Sequence, residues 1–239
     1  MSGTWSGDKT VALSFDCDFD PDMEAVEPLT RLLMDLSLPA SFAIPGYLAS
    51  RHSAVTSRLI ADGFEIVNHT DNHPGDFRSL GHAVQEKEIA RAQSRFEEQF
   101  GILPKGFRCP HGMRQLNRTL LSLLAQQELL YDSSLVGFGV AKIDEMIEVP
   151  VCPCPEHPLT SFDSYHHFRF PGVSASNSKM YDLWTELLED NELVSVFFDP
   201  IDFQSSNRLD LLKRMLEEAL RSDFTFRTLA AVAQEAKNT

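Results

Sequence analysis

Residues 11–22 read VALSFDCDFDPD, an apolar run that passes without a break into Asp16, Asp18, Asp20 and Asp22. The run VALSF has the composition of a buried strand. A strand that ends in carboxylates marks the edge of a sheet where chemistry collects, the carboxyl ends of the strands in an α/β protein. Helical spacing follows in residues 22–36, at Val26, Leu29, Leu32, Leu33 and Leu36, and stops before Pro39. Residues 40–44 then read as a second strand, closed by Pro45 and Gly46. Strand, helix, strand is the unit from which parallel sheets are built.

The same alternation runs on through the chain. Strands are expected at 64–68, 106–109, 131–135, 147–151, 193–198 and 224–226. Helices are expected at 49–61, 79–100, 116–129, 179–189, 209–221 and 229–236. Residues 152–176, rich in Pro, Ser and His, read as an irregular stretch, a length that often serves as a lid. No repeat, linker or low-complexity segment interrupts the pattern, so the reading is one α/β domain over residues 1–239. So many units in 239 residues fit a compact (β/α) barrel better than an open sheet.

Composition narrows the function. The formal charge is −14, which repels phosphate backbones and anionic lipid and argues against nucleic-acid or membrane-surface partners. With 43% hydrophobic and 10% aromatic residues the chain has material for a large core. No apolar run reaches the ~20 residues of a membrane span. The N-terminus MSGTWSGDKT lacks a basic start followed by an apolar stretch, so a cytoplasmic location is expected. Cys17, Cys109, Cys152 and Cys154 are then expected as free thiols. Cys152 and Cys154 form a C-P-C pair, not the C-x-x-C of zinc ribbons, and no second pair follows at finger spacing.

The polar residues converge. Residues 68–73 read NHTDNH, 107–112 read FRCPHG, and the run 193–198 leads into Asp199-Pro200. These strands and the first should end on one rim, and crowded carboxylates there call for a cation. His69 and His73 are four apart. If the chain turns helically after the third strand, both rings share a face and can hold one metal. A carboxylate from another strand would complete an open two-His-one-carboxylate set, and open sites are catalytic ones. The bland alternative is two histidines capping a loop.

SFDCDFD, HTDNH and FRCPHG, in this order and at these distances, resemble the polysaccharide deacetylase superfamily, the NodB-homology fold of carbohydrate esterases. GFEIVNHTDNH, LLYDSSL and IEVPV are similar to its core segments as well, so the resemblance spans nearly the whole chain. It implies a distorted (β/α) barrel of about seven strands. It also implies hydrolysis of a carbon–nitrogen bond, first of all N-deacetylation of a carbohydrate or related small amide. Many members have adjacent aspartates in the first motif; here Cys17 separates them, in the F-D-x-D form of the peptidoglycan deacetylase-like branch. By that match Asp16 is the catalytic base, Asp18, His69 and His73 hold one divalent metal, and Arg108 orients Asp16. Pro110, His111 and Gly112 shape the substrate groove. Zinc is the first choice of metal, with cobalt, nickel or iron also suited.

One position departs from the family. Asp199 stands where the resemblance places a histidine that serves as general acid. Asp199 has three readings: an altered acid, a turn-forming Asp-Pro, or the mark of lost catalysis. His166 and His167 are alternative proton donors. Asp20 and Asp22 are expected to cap the first helix, Asp71 to shape a turn, and Cys17 to pack inward. A cyclic amide or ureide hydrolase of the allantoinase-like branch is the rival activity, and a barrel that binds sugar or protein without turnover is the rival from another class.

Overall fold

A computed structural model describes residues 3–112, 117–170 and 176–238. The residues before 117 in the expected 116–129 helix, and residues 171–175 of the irregular stretch, lie outside the described residues. The first strand, β1 (Thr10–Asp16), is buried along its whole length. Around it stand β2 (Ser41–Ile44), β3 (Glu65–Asn68), β4 (Gly106–Phe107), β5 (Tyr131–Asp132), β6 (Ala141–Ile143), β7 (Met146–Glu148), β8 (Leu193–Phe198) and β9 (Thr225–Arg227). Their order is β6-β7-β5-β4-β3-β2-β1-β8, with β9 against the start of β1. Every pair is parallel except the β6–β7 hairpin.

Register lines up the carboxyl ends. Asp16 lies opposite Ala43, Ile44 opposite Asn68, Asn68 opposite Phe107, Phe107 opposite Asp132, and Asp132 opposite Glu148. One rim therefore collects the polar ends of the strands, as the alternation of the sequence implied. The sheet curls far enough for its two sides to meet. The Cys152 N–H, beyond β7, donates to the Ser195 carbonyl of β8 at 2.7 Å, and Asp163 bridges to Phe197. The result is a distorted α/β barrel closed by an irregular segment in place of a strand.

Helices α1 (Asp20–Asp35), α2 (Gly46–Arg51), α3 (Ser53–Ala61), α4 (His82–Phe100), α5 (Arg118–Gln126), α6 (Ser164–Phe168), α7 (Asn177–Asp190), α8 (Ser206–Arg221) and α9 (Leu229–Asn238) cover the sheet. Met23, Val26, Leu29 and Leu33 of α1 bury their stripe with Leu13, Phe15, Phe42 and Met215 in the largest core cluster. Gly106 is required by packing: a Cβ there would lie 1.9 Å from the Tyr131 ring. That ring is fully buried and its hydroxyl donates to Glu65 Oε1 at 2.7 Å.

Three local features differ from the sequence reading. The helix expected over 49–61 is two helices that break at His52, whose ring is drawn to Asp20 Oδ1 at 2.7 Å. The hairpin β6–β7 turns through Asp144 at φ +55°, without the glycine that announces such turns. Helix α6 forms inside the irregular stretch, capped by the Asp163 side chain, which accepts from the His166 N–H at 2.7 Å.

Candidate active site

Asp16 ends β1 and is 6% exposed; Arg108 follows β4 and is 2% exposed. Arg108 Nη1 donates to Asp16 Oδ1 at 2.7 Å and to Ser14 Oγ at 2.9 Å. Its Nε donates to the Ser133 carbonyl at 2.9 Å and its Nη2 to Ser133 Oγ at 2.8 Å. The Phe197 ring lies 5.2 Å from the guanidinium carbon. A planar fork held on three strands fixes one oxygen of Asp16, a job that lysine, a point charge, does not do. The supporting serines carry no sequence signal, because an isolated Ser in a strand reads as ordinary.

Asp18, two residues on, points to the histidines. Its Oδ1 lies 3.1 Å from His69 Nε2 and 3.2 Å from His73 Nε2. The expected helical turn after β3 does not form. Asn68 Oδ1 accepts the Thr70 N–H and Thr70 Oγ1 accepts the His73 N–H, with Thr70 and His73 at φ +66° and +51°. This compact turn, not a helix, brings the two rings to a centroid distance of 4.7 Å. His69 Nδ1 lies 2.7 Å from the Arg108 carbonyl oxygen. A carbonyl only accepts, so Nδ1 carries a proton, and Nε2, on the Asp18 side, is the nitrogen left for a metal to take.

The donor set fits a divalent ion. His73 Nε2 is buried with Asp18 Oδ1 at 3.2 Å as its polar neighbour but no well-aligned hydrogen bond, an arrangement that a metal shared by the two would satisfy. Zinc with bonds of ~2.0–2.2 Å spaces tetrahedral O and N ligands about 3.3–3.5 Å apart, close to what Asp18 and the rings adopt. Burial alone would raise the pKa of Asp18, but the neighbouring His69 and His73 imidazoles hold it well below the usual carboxylate range.

Neighbouring residues position this set. Asp22 caps α1 as expected and does more: its Oδ2 accepts the N–H groups of Asp18 and Phe19, each at 3.1 Å. Desolvation pushes the Asp22 carboxyl up to about 6. Asp20 pairs with Arg51 at 3.1 Å and with His52. Asp71, fully buried, takes Arg95 Nε at 2.5 Å, an ion pair where a turn former was expected. Cys17 packs inward, fully buried, and desolvation raises its thiol well above the ordinary value.

Pro110 is buried, while His111 is exposed with its ring 5.3 Å from that of His73. Gly112 closes the turn with its N–H on the Cys109 carbonyl at φ +62°, a conformation glycine adopts without strain. Phe19, 57% exposed, stands edge-on to His73 at 5.7 Å and forms a wall that a reading centred on polar residues missed.

Asp199 stands 8% exposed beyond β8. Its carboxylate is ion-paired with Arg169, which also reaches Asp202 at 3.1 Å, and its N–H donates to Ser164 Oγ at 2.9 Å. Nothing in the sequence around Arg169 announced this partner. His166 and His167 do not join the Asp18 set. They face Cys154 and His157, and desolvation pushes His166 down to about 4.

Residues 5–131 match the family model described as polysaccharide deacetylase. Among curated proteins, the chitooligosaccharide deacetylase of Bradyrhizobium sp. (strain ANU 289) is 26% identical over 111 residues, 46% of this chain and 50% of the relative. The uncharacterized protein YlxY of Bacillus subtilis (strain 168) is 24% identical over 106 residues, 44% of this chain and 32% of the relative. The chain thus matches half or less of the length of these relatives. Among solved structures, a polysaccharide deacetylase homologue from Mycobacterium smegmatis superposes with TM-score 0.80 at 21% identity, covering 99% of this chain and 93% of its own. PuuE allantoinase has the same fold at TM-score 0.82 and 14% identity, with 98% and 93% covered. The three ordered motifs, the barrel rim on which they meet, and a family match over more than half the chain agree: this protein belongs to the polysaccharide deacetylase family.

Proposed function

We propose that the chain is a metal-dependent amide hydrolase that removes an acyl group, acetyl first, from an N-acylated sugar or a related small amide. The observation that carries this reading is the Asp18–His69–His73 set, with both Nε2 atoms gathered on Asp18 Oδ1, beside an Asp16 held by Arg108. Asp18, His69 and His73 would hold the ion, zinc by first choice with cobalt, nickel or iron as substitutes. When bound, it supplies Lewis acidity towards an amide carbonyl. Arg108 occupies Asp16 Oδ1 and leaves Oδ2 to take the proton of the attacking water and return it to the leaving nitrogen. The exposed Phe19 and His111 rings, the second carried on the turn shaped by buried Pro110 and by Gly112, offer a sugar ring a flat wall.

Acetate release tests this, with N-acetylated chitooligosaccharides and N-acetyl monosaccharides as substrates. Asp16→Asn should keep its metal and lose turnover by at least ~10²-fold, since the base is gone while the ligands remain. Loss of metal in Asp16→Asn with retention in Asp18→Asn would reverse the two roles. Ring opening of a cyclic ureide without acetate release would move the activity to the allantoinase-like branch.

A second reading rests on a specific observation. Asp199 replaces the expected histidine and is ion-paired with Arg169, so the barrel can be one that binds sugar without hydrolysing it. Saturable sugar binding with no product from the metal-loaded chain would select that reading.

A further inference from the structure

The irregular stretch that closes the barrel builds a second cluster of ligand atoms. Cys154, Pro155, Glu156 and His157 form a tight turn, closed by the His157 N–H on the Cys154 carbonyl at 3.1 Å. The Cys154 N–H donates to the Thr160 carbonyl at 2.9 Å and brings the chain back towards α6. There the Asp163 cap fixes the helix and turns His166 and His167 to the same place. Cys154 Sγ lies 3.7 Å from His157 Nδ1 and 3.8 Å from His167 Nε2, and His166 Nε2 lies 3.2 Å from His157 Nδ1. His167 Nδ1 is 2.7 Å from the Asp163 carbonyl oxygen and must donate to it, so its Nε2 presents a lone pair to the sulfur.

We propose that Cys154, His157 and His166 form a second zinc site, separate from the Asp18 centre, with His167 Nε2, 3.8 Å from the sulfur, available as a further donor. Three arguments converge. Zinc with Zn–S of ~2.3 Å and Zn–N of ~2.0–2.1 Å sets tetrahedral S···N and N···N edges of about 3.6 and 3.3 Å, close to the Cys154–His157 and His157–His166 spacings, and all three donor atoms lie within 4.8 Å of one another. Thiolate with imidazole is a donor set that favours zinc over magnesium or calcium. The turn supplies two donors at a C-x-x-H spacing and the helix the others, a distribution that joins two segments through one ion. A nucleophilic cysteine is the competing use of a Cys–His contact, but Cys154 is fully buried and no substrate reaches it. His157 is exposed and gives an ion its way in.

The site has a structural consequence. It ties residues 154–157 to α6, and the residue after α6, Arg169, holds Asp199 and Asp202. Metal at the Cys–His cluster would therefore brace the wall beside the catalytic rim without touching substrate.

Cobalt separates the two sites, because only this one contains sulfur. The full chain, stripped with chelator and titrated with Co²⁺ to saturation, should develop a thiolate-to-cobalt charge-transfer band in the near ultraviolet. The band should vanish in Cys154→Ser and survive in Cys152→Ser and in His73→Ala. Absence of the band at saturation, or its survival in Cys154→Ser, overturns the proposal. Should Cys154→Ser fail to fold, His157→Ala, changed at an exposed side chain, decides. It should shift half-saturation of the band to at least ~10-fold higher cobalt, the scale on which lost metal-site contacts are felt. An unchanged midpoint refutes the site.

Discussion

Replacing Arg108 by Met tests the electrostatic arrangement on which the proposed chemistry depends. Arg108 and Asp16 are both almost fully buried, and the guanidinium makes four hydrogen bonds to Asp16, Ser14 and Ser133. Met fills similar volume but leaves the Asp16 carboxylate buried without its partner. Breaking a buried pair from one side costs about 3–5 kcal/mol, most of it the uncompensated charge. For a chain of this size that is a fall in Tm of roughly 6–20 °C. Urea unfolding of chelator-treated protein at neutral pH measures it, without metal to offset the charge. The mechanism makes a sharper demand on the double variant. Asp16→Asn removes the stranded charge, so adding it to Arg108→Met should restore part of the loss, with a coupling energy of about 1–3 kcal/mol. Additive effects, with coupling below ~0.5 kcal/mol, would refute the view that Arg108 is there for Asp16.

Two further predictions follow from buried carboxylates. Asp199→Asn should change amide turnover by less than ~10-fold, because an ion-paired carboxylate has no proton to give; a fall of ~10²–10⁴-fold that spares an activated ester would make Asp199 the general acid after all. Glu148 and Asp132 are buried together at the end of the sheet, and desolvation raises Glu148 well above its ordinary value and Asp132 to about 6. The fold holds their proton more tightly than the unfolded chain does. The stability it confers is full below about pH 4 and is lost as pH rises through 6 and beyond. Glu148→Gln keeps a donor towards Asp132 and removes most of that loss, so its Tm should exceed that of the parent at pH 8 and match it near pH 4. A constant difference across that range would exclude the shared proton.

Much of this was legible because strands and site residues are contiguous in the chain. VALSFDCD carries both a buried strand and the two aspartates of the candidate site, and the register of a parallel sheet does the rest by lining up strand ends. Cys17 packing inward and Asp22 capping α1 follow from alternation and capping rules that operate within a few residues. What sequence could not disclose depends on contacts across the chain. Arg169 meets Asp199 thirty residues away, and Arg95 meets Asp71 through helix packing. The turn that unites His69 and His73 depends on Thr70 and His73 adopting positive φ, which non-glycine residues rarely advertise. The Cys154 cluster escaped for a related reason. The C-P-C spacing drew attention to paired cysteines, while the fold supplies one sulfur and surrounds it with imidazoles from its own turn and from α6.

Anomalous diffraction at the zinc edge from crystals grown with zinc tests the central claim most directly. The account predicts a peak within bonding distance of Asp18, His69 Nε2 and His73 Nε2, retained in Asp16→Asn and lost in His73→Ala. A parent crystal that shows no peak among these three residues, or a peak undiminished in His73→Ala, would contradict it.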